Sequence, residues 1–360
     1  VAYGSLEMSN KRTVMITGDR GFIGTYLVSK FLKEGWRVLG VDNEEKYGPT
    51  AKAHDKTSGY LRAKADLTMG HTHHILSDLI KKYDVELIIA GAAKIGGIKY
   101  FHDLPYTLLS ANELILNTTF GAAIKSFLNQ ETLFSEKGRV VVISSSMVYE
   151  AVPIEKMPVR EEDVFKYPPP PSSYGFQKLA SEYWAKAAFD EFGLPYTIVR
   201  PFNCFGTGEL RALETEETLV GDVKMSLSHV IPDLMQKVIR GQYPVQILGD
   251  GNQVRQFTHG SDLANGIFLA STNPHALLQD FNFTSERNTS VLELLSMILD
   301  IAGLPFDYVT SPPFEYDVQY RSASSAKAKE ILGWAPKKNL EEELPGIYKW
   351  IAEQVSKGKM

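Results

Sequence analysis

Tyr174 and Lys178 stand four residues apart in the segment Tyr-Gly-Phe-Gln-Lys. On a helix that spacing puts a phenol and an ammonium on one face. A neighbouring cation favours the phenolate, so a phenol pKa ordinarily near ~10 is expected to fall toward the working range of a base. The bland alternative for so common a spacing is an exposed helical pair. Upstream, Ser144, Ser145 and Ser146 follow the apolar run Val140 to Ile143 and precede Met147, Val148 and Tyr149. Hydroxyls at the carboxyl end of a parallel strand lie where ligands bind in open α/β sheets. A third group, Gly18-Asp19-Arg20-Gly21-Phe22-Ile23-Gly24, sits between a β-branched run and an amphipathic stretch. Glycine suits a tight turn, a backbone that approaches a pyrophosphate, and a helix packed close to its strand. Asp42 ends the next apolar run about 20 residues on, the place of a carboxylate that accepts from a ribose 2′-hydroxyl.

The elements that must position these groups alternate. Thr13 to Thr17 reads as a buried strand, Thr25 to Glu34 as a helix closed by Gly35, and Arg37 to Val41 as a second strand. A further strand precedes Asp66 and Leu67. There the carboxylate either faces an adenine amino group or caps a helix. A helix over Thr72 to Lys82, a strand over Glu86 to Ala90, a helix over Leu109 to Leu128 and a strand over Arg139 to Ser144 come next. The helix Tyr174 to Phe192 then leads into the strand Tyr196 to Arg200. Strands alternating with helices imply right-handed crossovers and a parallel sheet covered on both faces.

After Pro201 the rhythm loosens. Glu209 to Ser228 is polar and acidic and reads as a long loop, followed by a helix (Ile231 to Arg240) and a strand (Val245 to Leu248). Two more helices are expected at Val291 to Ala302 and near Leu340 to Val355. The expected organisation is residues 1–10 as a leader, 11–200 mainly a dinucleotide-binding domain, and 201–360 mainly a substrate-binding lobe with some segments returning to the first domain.

The composition is that of a globular protein, with 44% hydrophobic and 22% charged residues, which excludes a disordered, collagenous or coiled-coil chain. Lys plus Arg is 38 against 43 Asp plus Glu, so there is no basic excess for nucleic acid or an acidic membrane. One cysteine, Cys204, excludes an internal disulfide and a multi-thiolate metal centre. No apolar run approaches the ~20 residues of a membrane span. A soluble, cytoplasmic protein with no resident metal, nucleic-acid partner or membrane partner is expected. Asp42 would repel a 2′-phosphate, which favours NAD over NADP. Arg20, a guanidinium inside the glycine loop, is suited to such a phosphate and weighs the other way.

Taken together the motifs resemble the extended short-chain dehydrogenase/reductase family, in its nucleotide-sugar epimerase/dehydratase group (UDP-glucose/glucuronate 4-epimerase-like). The resemblance runs from Arg12 to about Gly346. It rests on TGDRGFIG, Ala92-Ala93, Asn112, SSSMVY, YGFQK, RPFNCFGTG, GDGNQVRQFTHGSDLA and AKEILGWAPK in the family's order. It implies an α/β fold with a Rossmann-type doubly wound parallel sheet and a smaller C-terminal α/β substrate lobe. It implies NAD, contacted by Gly18, Arg20, Gly21, Phe22, Ile23, Gly24, Asp42, Asp66, Leu67, Ala92, Lys94 and Asn112, together with Tyr174 and Lys178. Tyr174 would be the acid/base, Lys178 would bind nicotinamide ribose hydroxyls and lower the Tyr174 pKa, and Ser145 would bind the reacting hydroxyl, with Ser144 and Ser146 in support. A nucleotide-diphosphate sugar would meet Asn203 and Arg255 at its diphosphate, Arg321 further out, and Lys94, Ser145, Ser146 and Tyr174 at the sugar. Arg211 is suited to a C6 carboxylate, which would make the sugar a uronic acid; an arginine on an acidic loop is the plainer reading. A homodimer is implied, through a four-helix bundle of Leu109–Leu128 and Tyr174–Phe192, whose apolar Trp184, Ala188 and Phe189 exceed one core face. Asp262 is expected to cap or orient its helix, His259 has no assigned role, and Cys204 reads as a buried small side chain.

The departures choose the reaction. Members that eliminate water carry an Asp-Glu pair directly after the catalytic hydroxyl residue, and decarboxylating members carry a Glu; here Ser146 and Met147 occupy those positions. The 3,5-epimerases and epimerase-reductases use a cysteine where Met147 stands, and the latter also a histidine where Gly208 aligns. Thioether and glycine transfer no protons. What is left is a Ser-Tyr-Lys set with NAD, sufficient for 4-epimerisation through a transient 4-keto sugar. Dehydration, decarboxylation and epimerisation with reduction are the alternatives on the same fold, and Arg20 with Lys94-Ile95-Gly96-Gly97-Ile98 echoes the last. A non-catalytic NAD-binding module is a further alternative, disfavoured by the intact Ser145, Tyr174 and Lys178.

Overall fold

The computed structural model describes residues 2–3, 11–95, 103–127, 138–210, 218–220, 223–225, 229–313 and 318–360. The first part builds one sheet from β1 (Ala2–Tyr3), β2 (Thr13–Thr17), β3 (Arg37–Asp42), β4 (Tyr60–Lys64), β5 (Val85–Ala90), β6 (Arg139–Ile143) and β7 (Tyr196–Pro201). The helices between them are α1 (Phe22–Lys33), α2 (Thr72–Lys82), α3 (Pro105–Phe127) and α4 (Ser173–Phe192). Beyond β7 come β8 (Cys204–Phe205), β9 (Thr218–Val220), β10 (Val223–Met225), α5 (Val230–Ile239), β11 (Val245–Leu248), β12 (Val254–Gln256) and β13 (Thr258–His259). The chain continues through α6 (Gly260–Thr272), β14 (Asp280–Phe283), β15 (Asn288–Ser290), α7 (Val291–Ala302), β16 (Tyr308–Ser311), α8 (Ala326–Leu332) and α9 (Leu340–Ser356).

The main sheet has the order β1-β4-β3-β2-β5-β6-β7-β14. Its strands run parallel except β1, which pairs antiparallel to β4 through Ala2 with Ala63 and Tyr3 with Arg62. Two residues of the expected leader therefore extend the sheet. The order reverses between β2 and β5, and an open α/β sheet offers a ligand crevice at such a point. Apolar strands are consistent with helices on both faces. On one face Leu27, Val28 and Phe31 of α1 meet Leu263 and Ile267 of α6 and the buried Trp334. On the other, residues of α2, α3 and α4 cover Met15, Leu39, Ile88 and Val142. A separate core in the later lobe joins α5, α7 and α9 around Met235, Leu295 and Ile351.

Several boundaries moved for local reasons. α1 begins at Phe22 rather than Thr25, because Gly21 serves as its N-cap. α3 begins at Pro105, and proline is well placed in a first helical turn, where its missing N–H costs little. Within the stretch read as one long loop, β9 and β10 pair antiparallel. The returning segments are β14, which pairs with β7, and α6, which packs on α1. Asp262 fixes α6 to the C-terminal segment by accepting from the backbone N–H groups of Lys337 (2.8 Å) and Lys338 (2.7 Å). His259 caps α6 by accepting from Ser261 N and packs edge-on against Tyr26 and Phe205. No helix among the described residues is long and apolar enough to cross a membrane.

Candidate active site

The glycine loop leaves β2 at the switch point and turns into α1. Gly18 has φ +73°, in the left-handed region, and its N–H donates to Val41 O at 2.8 Å. A Cβ on Gly18 would lie 2.8 Å from Ala92 Cα, and one on Gly24 only 2.1 Å from Gly18 O. The first glycine thus lets the loop pass the edge of β5, and the third lets α1 sit down on the loop. Thr17 Oγ1 accepts from the N–H groups of Gly91 and Ala92, each at 3.1 Å, which holds that edge in place. No side chain caps α1, so its first-turn N–H groups and positive dipole end are available to an anion. Asp42 ends β3 and accepts from Glu44 N (2.6 Å) and Arg20 N (3.3 Å). Gly18, Arg20, Gly21, Phe22, Ile23, Gly24, Asp42, Asp66, Leu67 and Ala92 all line one cleft of about 980 Å³. Loop, uncapped helix and carboxylate fit a dinucleotide whose pyrophosphate meets α1 and whose ribose meets Asp42.

Two expected cofactor contacts have another task here. Asn112 is buried and does not line the cleft; its Oδ1 accepts from Lys94 N (2.7 Å) and its Nδ2 donates to Lys94 O (3.0 Å). It fixes the backbone of Lys94, whose Nζ lies 2.6 Å from Glu45 Oε1 at the cleft wall. Arg20 is buried and held by carboxylates: Nη1 donates to Asp55 Oδ1 at 2.7 Å, and Nε lies 3.1 Å from Glu44 Oε1. A guanidinium engaged in this way is not available to a 2′-phosphate, so the countervailing NADP signal disappears. Asp66 forms a turn in which Oδ1 accepts from Thr68 N (2.9 Å) and Thr68 Oγ1 (2.7 Å); it is not the helix cap weighed against an adenine contact, since His71 is the N-cap of α2.

Deeper in the cleft are Ser145, Ser146, Met147, Tyr174 and Lys178. Ser172 caps α4 by accepting from Gly175 N at 3.0 Å, which sets the register that places Tyr174 in the first turn. Lys178 Nζ donates to Ile143 O at 3.0 Å, anchoring it to the end of β6, and lies 5.9 Å from the Tyr174 ring centroid. Ser145 begins a short 3₁₀ turn, accepting from Met147 N at 3.2 Å. Tyr174 is buried, and burial pushes its phenol up to about 12, opposed by a hydrogen bond with Ser145 and by the charge of Arg321. Burial brings Lys178 down to about 8. The sequence-based expectation that Lys178 lowers the phenol pKa is thus corrected: desolvation dominates both groups, and the opposing influences come from Ser145 and Arg321. Beneath them Ser144 Oγ donates to Glu182 Oε1 (2.6 Å), and Glu182 in turn accepts from the fully buried Arg200 (Nε 2.8 Å, Nη2 2.7 Å).

At the lobe side, Asn203 and Arg321 line the same cleft. Asn203 has φ 33°, and its Nδ2 donates to Gln256 O at 2.9 Å. Arg255 lies on β12, which pairs with β15, and is not on the cleft wall, although its chain neighbours tie β12 to the other two residues: Asn203 Nδ2 donates to Gln256 O (2.9 Å) and Arg321 N donates to Val254 O (3.1 Å). Arg211 lies outside the described residues. The wall also contains residues that the motifs did not single out, Lys46, Tyr47, Glu209 and His229. His229 Nδ1 is 2.5 Å from Glu209 Oε1. For Glu209 and His229 the signal in the chain was an acidic stretch after β8, which reads equally well as a solvated loop; Lys46 and Tyr47 lie just after β3 and had none. Cys204, expected to be buried, is half-buried and lines the cleft; desolvation raises its thiol pKa and disfavours the thiolate.

Residues 14–283 match the model of the NAD dependent epimerase/dehydratase family. The chain is 27% identical over 357 residues to a UDP-glucose 4-epimerase of Halalkalibacterium halodurans, covering 94% of this chain and 96% of that one. It is also 27% identical over 350 residues to a UDP-glucuronate 4-epimerase of Thermodesulfobacterium geofontis, covering 95% and 96%. The structure of UDP-glucose 4-epimerase from Thermotoga maritima with UDP-glucose superposes with a TM-score of 0.77 over 95% of this chain and 99% of that one. Its 23% identity carries the fold alone. With three quarters of its length inside the family model, the chain belongs to the NAD dependent epimerase/dehydratase family, as an NAD-dependent enzyme of the extended short-chain dehydrogenase/reductase type.

Proposed function

We propose that the protein is a nucleotide-sugar 4-epimerase that works through a transient 4-keto sugar, with Tyr174 as acid/base and Ser145 and Lys178 assisting. One observation carries this reading: Tyr174 and Lys178 share a cleft with the glycine loop and with Ser145, while the positions after Ser145 hold Ser146 and Met147 rather than an acid. Without an acid there, nothing on that turn protonates a departing hydroxyl.

Gly18, Gly21, Phe22, Ile23 and Gly24 are proposed to receive the pyrophosphate, Asp42 the adenosine ribose, and Lys178 the nicotinamide ribose. NAD bound there would supply a reversible hydride acceptor for C4, which is the chemistry an inversion at that carbon needs. Ser145 would orient the C4 hydroxyl toward Tyr174 Oη, which takes its proton and later gives it back. The phenol begins with its pKa raised by burial, so the charge of Arg321 and the Ser145 hydrogen bond, which oppose that rise, are proposed to hold the phenolate. Asn203 and Arg321 are proposed to hold the diphosphate of the sugar nucleotide, guanidinium forks being suited to phosphate oxygens. A homodimer through α3 and α4 is proposed as well. Trp184 Nε1 donates to Glu113 Oε2 (2.7 Å) across these two helices, and Ala188 is buried. The large apolar side chains left exposed on these helices are Tyr106 and Leu114 of α3 and Phe176, Tyr183 and Phe192 of α4.

Incubation of the purified protein with UDP- and GDP-hexoses and hexuronates, followed by NMR, tests the reading. The expected product is the C4 epimer with no added reductant. Loss of water, release of carbon dioxide or a requirement for NADPH would replace it with one of the other reactions on this fold.

A further inference from the structure

The corner of the cleft beside Asp42 holds an ionic cluster that no motif announced. Glu44 is buried, with φ 63°. Its carboxylate receives Arg20 (Nε to Oε1, 3.1 Å), Lys64 (Nζ to Oε2, 3.4 Å) and Arg62. Arg20 also makes a two-pronged pair with Asp55 (2.7 and 3.3 Å) and donates to Thr50 O. Glu44 N donates to Asp42, and Arg20 N donates to the same carboxylate, so Asp42, Arg20 and Glu44 form a closed ring. Arg20, Asp42, Glu44 and Lys64 all line the cleft.

Within these contacts three cations (Arg20, Arg62, Lys64) face three carboxylates (Asp42, Glu44, Asp55), so the paired charges balance, and Asp19 and Lys52 add one acidic and one basic group beside them. Asp42 alone would not balance the three cations. Arg20, Arg62 and Lys64 are the residues that elsewhere would welcome a phosphate dianion. We infer that Glu44 is a specificity-determining residue for the dinucleotide: a built-in anion that engages the cations beside the ribose 2′-position and so excludes a 2′-phosphate. The left-handed backbone at Glu44 is part of the device, because it turns the side chain inward onto Arg20 and Arg62 in place of continuing β3. Without Glu44, Arg20 stays with Asp55, but Arg62 and Lys64 lose their carboxylate and the corner becomes positive. Asp42 remains to oppose a 2′-phosphate, so the change is expected in the ratio of affinities and not as a complete reversal.

The inference rests on NAD being the cofactor, and the test separates the two. NAD⁺ and NADP⁺ are titrated calorimetrically into the full chain as wild type, Glu44→Gln and Glu44→Gly, the glycine variant being suited to the positive φ. Both variants are expected to lower the ratio of the NADP⁺ to the NAD⁺ dissociation constant by roughly tenfold or more. Adding Arg62→Met and Lys64→Met to Glu44→Gln is expected to restore the wild-type ratio. A ratio unchanged in the folded variants, or a gain that survives removal of Arg62 and Lys64, would overturn the role of Glu44. A wild-type protein that binds NADP⁺ as well as NAD⁺ would overturn it too. Wild type that binds neither dinucleotide would instead count against the cofactor assignment, and the inference would fall with it.

Discussion

Ser144 Oγ donates to Glu182 Oε1 at 2.6 Å, and this bond ties the end of β6 to the middle of α4. β6 delivers Ser145, and α4 carries Tyr174 and Lys178, so one buried carboxylate sets the relation between the proposed catalytic groups. Glu182 is itself fixed by Arg200, which also reaches Asp280 Oδ2 (2.8 Å) on β14 and Tyr149 Oη (2.8 Å). The floor of the site is therefore a buried ionic network spanning β6, α4, β7 and β14.

Breaking this network should be costly. Burial alone would lower the Arg200 pKa and the Glu182 carboxylate more than offsets this; since a guanidinium is not deprotonated in proteins and Asp280 remains beside it, Arg200 keeps its charge when Glu182 is lost. Glu182→Gln is expected to destabilise the fold by about 3–5 kcal/mol, as for a buried pair that loses one partner. Urea denaturation followed by circular dichroism checks this; a loss under ~1 kcal/mol would mean the network is replaceable.

Lys178 should behave in the opposite way. Its folded-state pKa of about 8 lies below the ordinary 10.5, so at neutral pH the fold carries the penalty of a buried charge. Between these values the unfolded chain binds more protons, and stability from this group rises with pH across that window. Lys178→Met is expected to be more stable than wild type at pH 7 by about 1–3 kcal/mol after loss of its bond to Ile143 O, while losing activity. The difference should narrow as pH rises from 8 toward 10.5. Thermal melts of both proteins at several pH values measure it, and a variant less stable throughout would count against the penalty.

The Ser145 hydrogen bond lowers a phenol that burial has raised. Removing it leaves burial less opposed, so the Tyr174 pKa should climb further. In Ser145→Ala the rising limb of the kcat/KM profile is expected to move to higher pH, by on the order of 1 unit, alongside a fall in kcat. Rate measurements from pH 6 upward would show it. A lower rate with an unmoved limb would restrict Ser145 to holding substrate.

Gly24 tests the cradle. A methyl group there would fall 2.1 Å from Gly18 O, whereas one on Gly121 in α3 would meet nothing within 4 Å. Gly24→Ala is expected to weaken NAD⁺ binding on the order of 100-fold, since α1 must lift from the loop. Gly121→Ala should leave binding alone and add about 0.5–1 kcal/mol of stability. Calorimetric titration and melting curves separate the two effects.

The parallel sheet, the loop before α1 and the helix bearing Tyr174 were legible because short-range physics encodes them. Apolar period, glycine at a tight turn and a serine cap all lie within a few residues of what they determine. β14 and α6 were harder, since their places depend on β7 and α1, far away in the chain. The site was legible where a motif carries its own geometry, as with Ser145, Tyr174 and Lys178. It was not where burial decides. The isolated spacing of Tyr174 and Lys178 suggested a lowered phenol pKa, but desolvation of both groups outweighs it. Arg20 read as a free cation because Glu44 and Asp55 meet it only after folding. Arg255 illustrates the reverse, a motif residue that is not on the cleft wall although β12 is tied to Asn203 and Arg321.

The most direct test of Tyr174 as the acid/base in C4 inversion is proton NMR of a UDP-sugar deuterated at C4, incubated with the protein and NAD⁺ and no reductant. The expected result is the C4 epimer with deuterium still at C4 in wild type, and loss of turnover by at least about 100-fold in a folded Tyr174→Phe protein that still binds NAD⁺. Deuterium exchanged into solvent, a dehydrated or decarboxylated product, or a phenylalanine variant as active as wild type would contradict it.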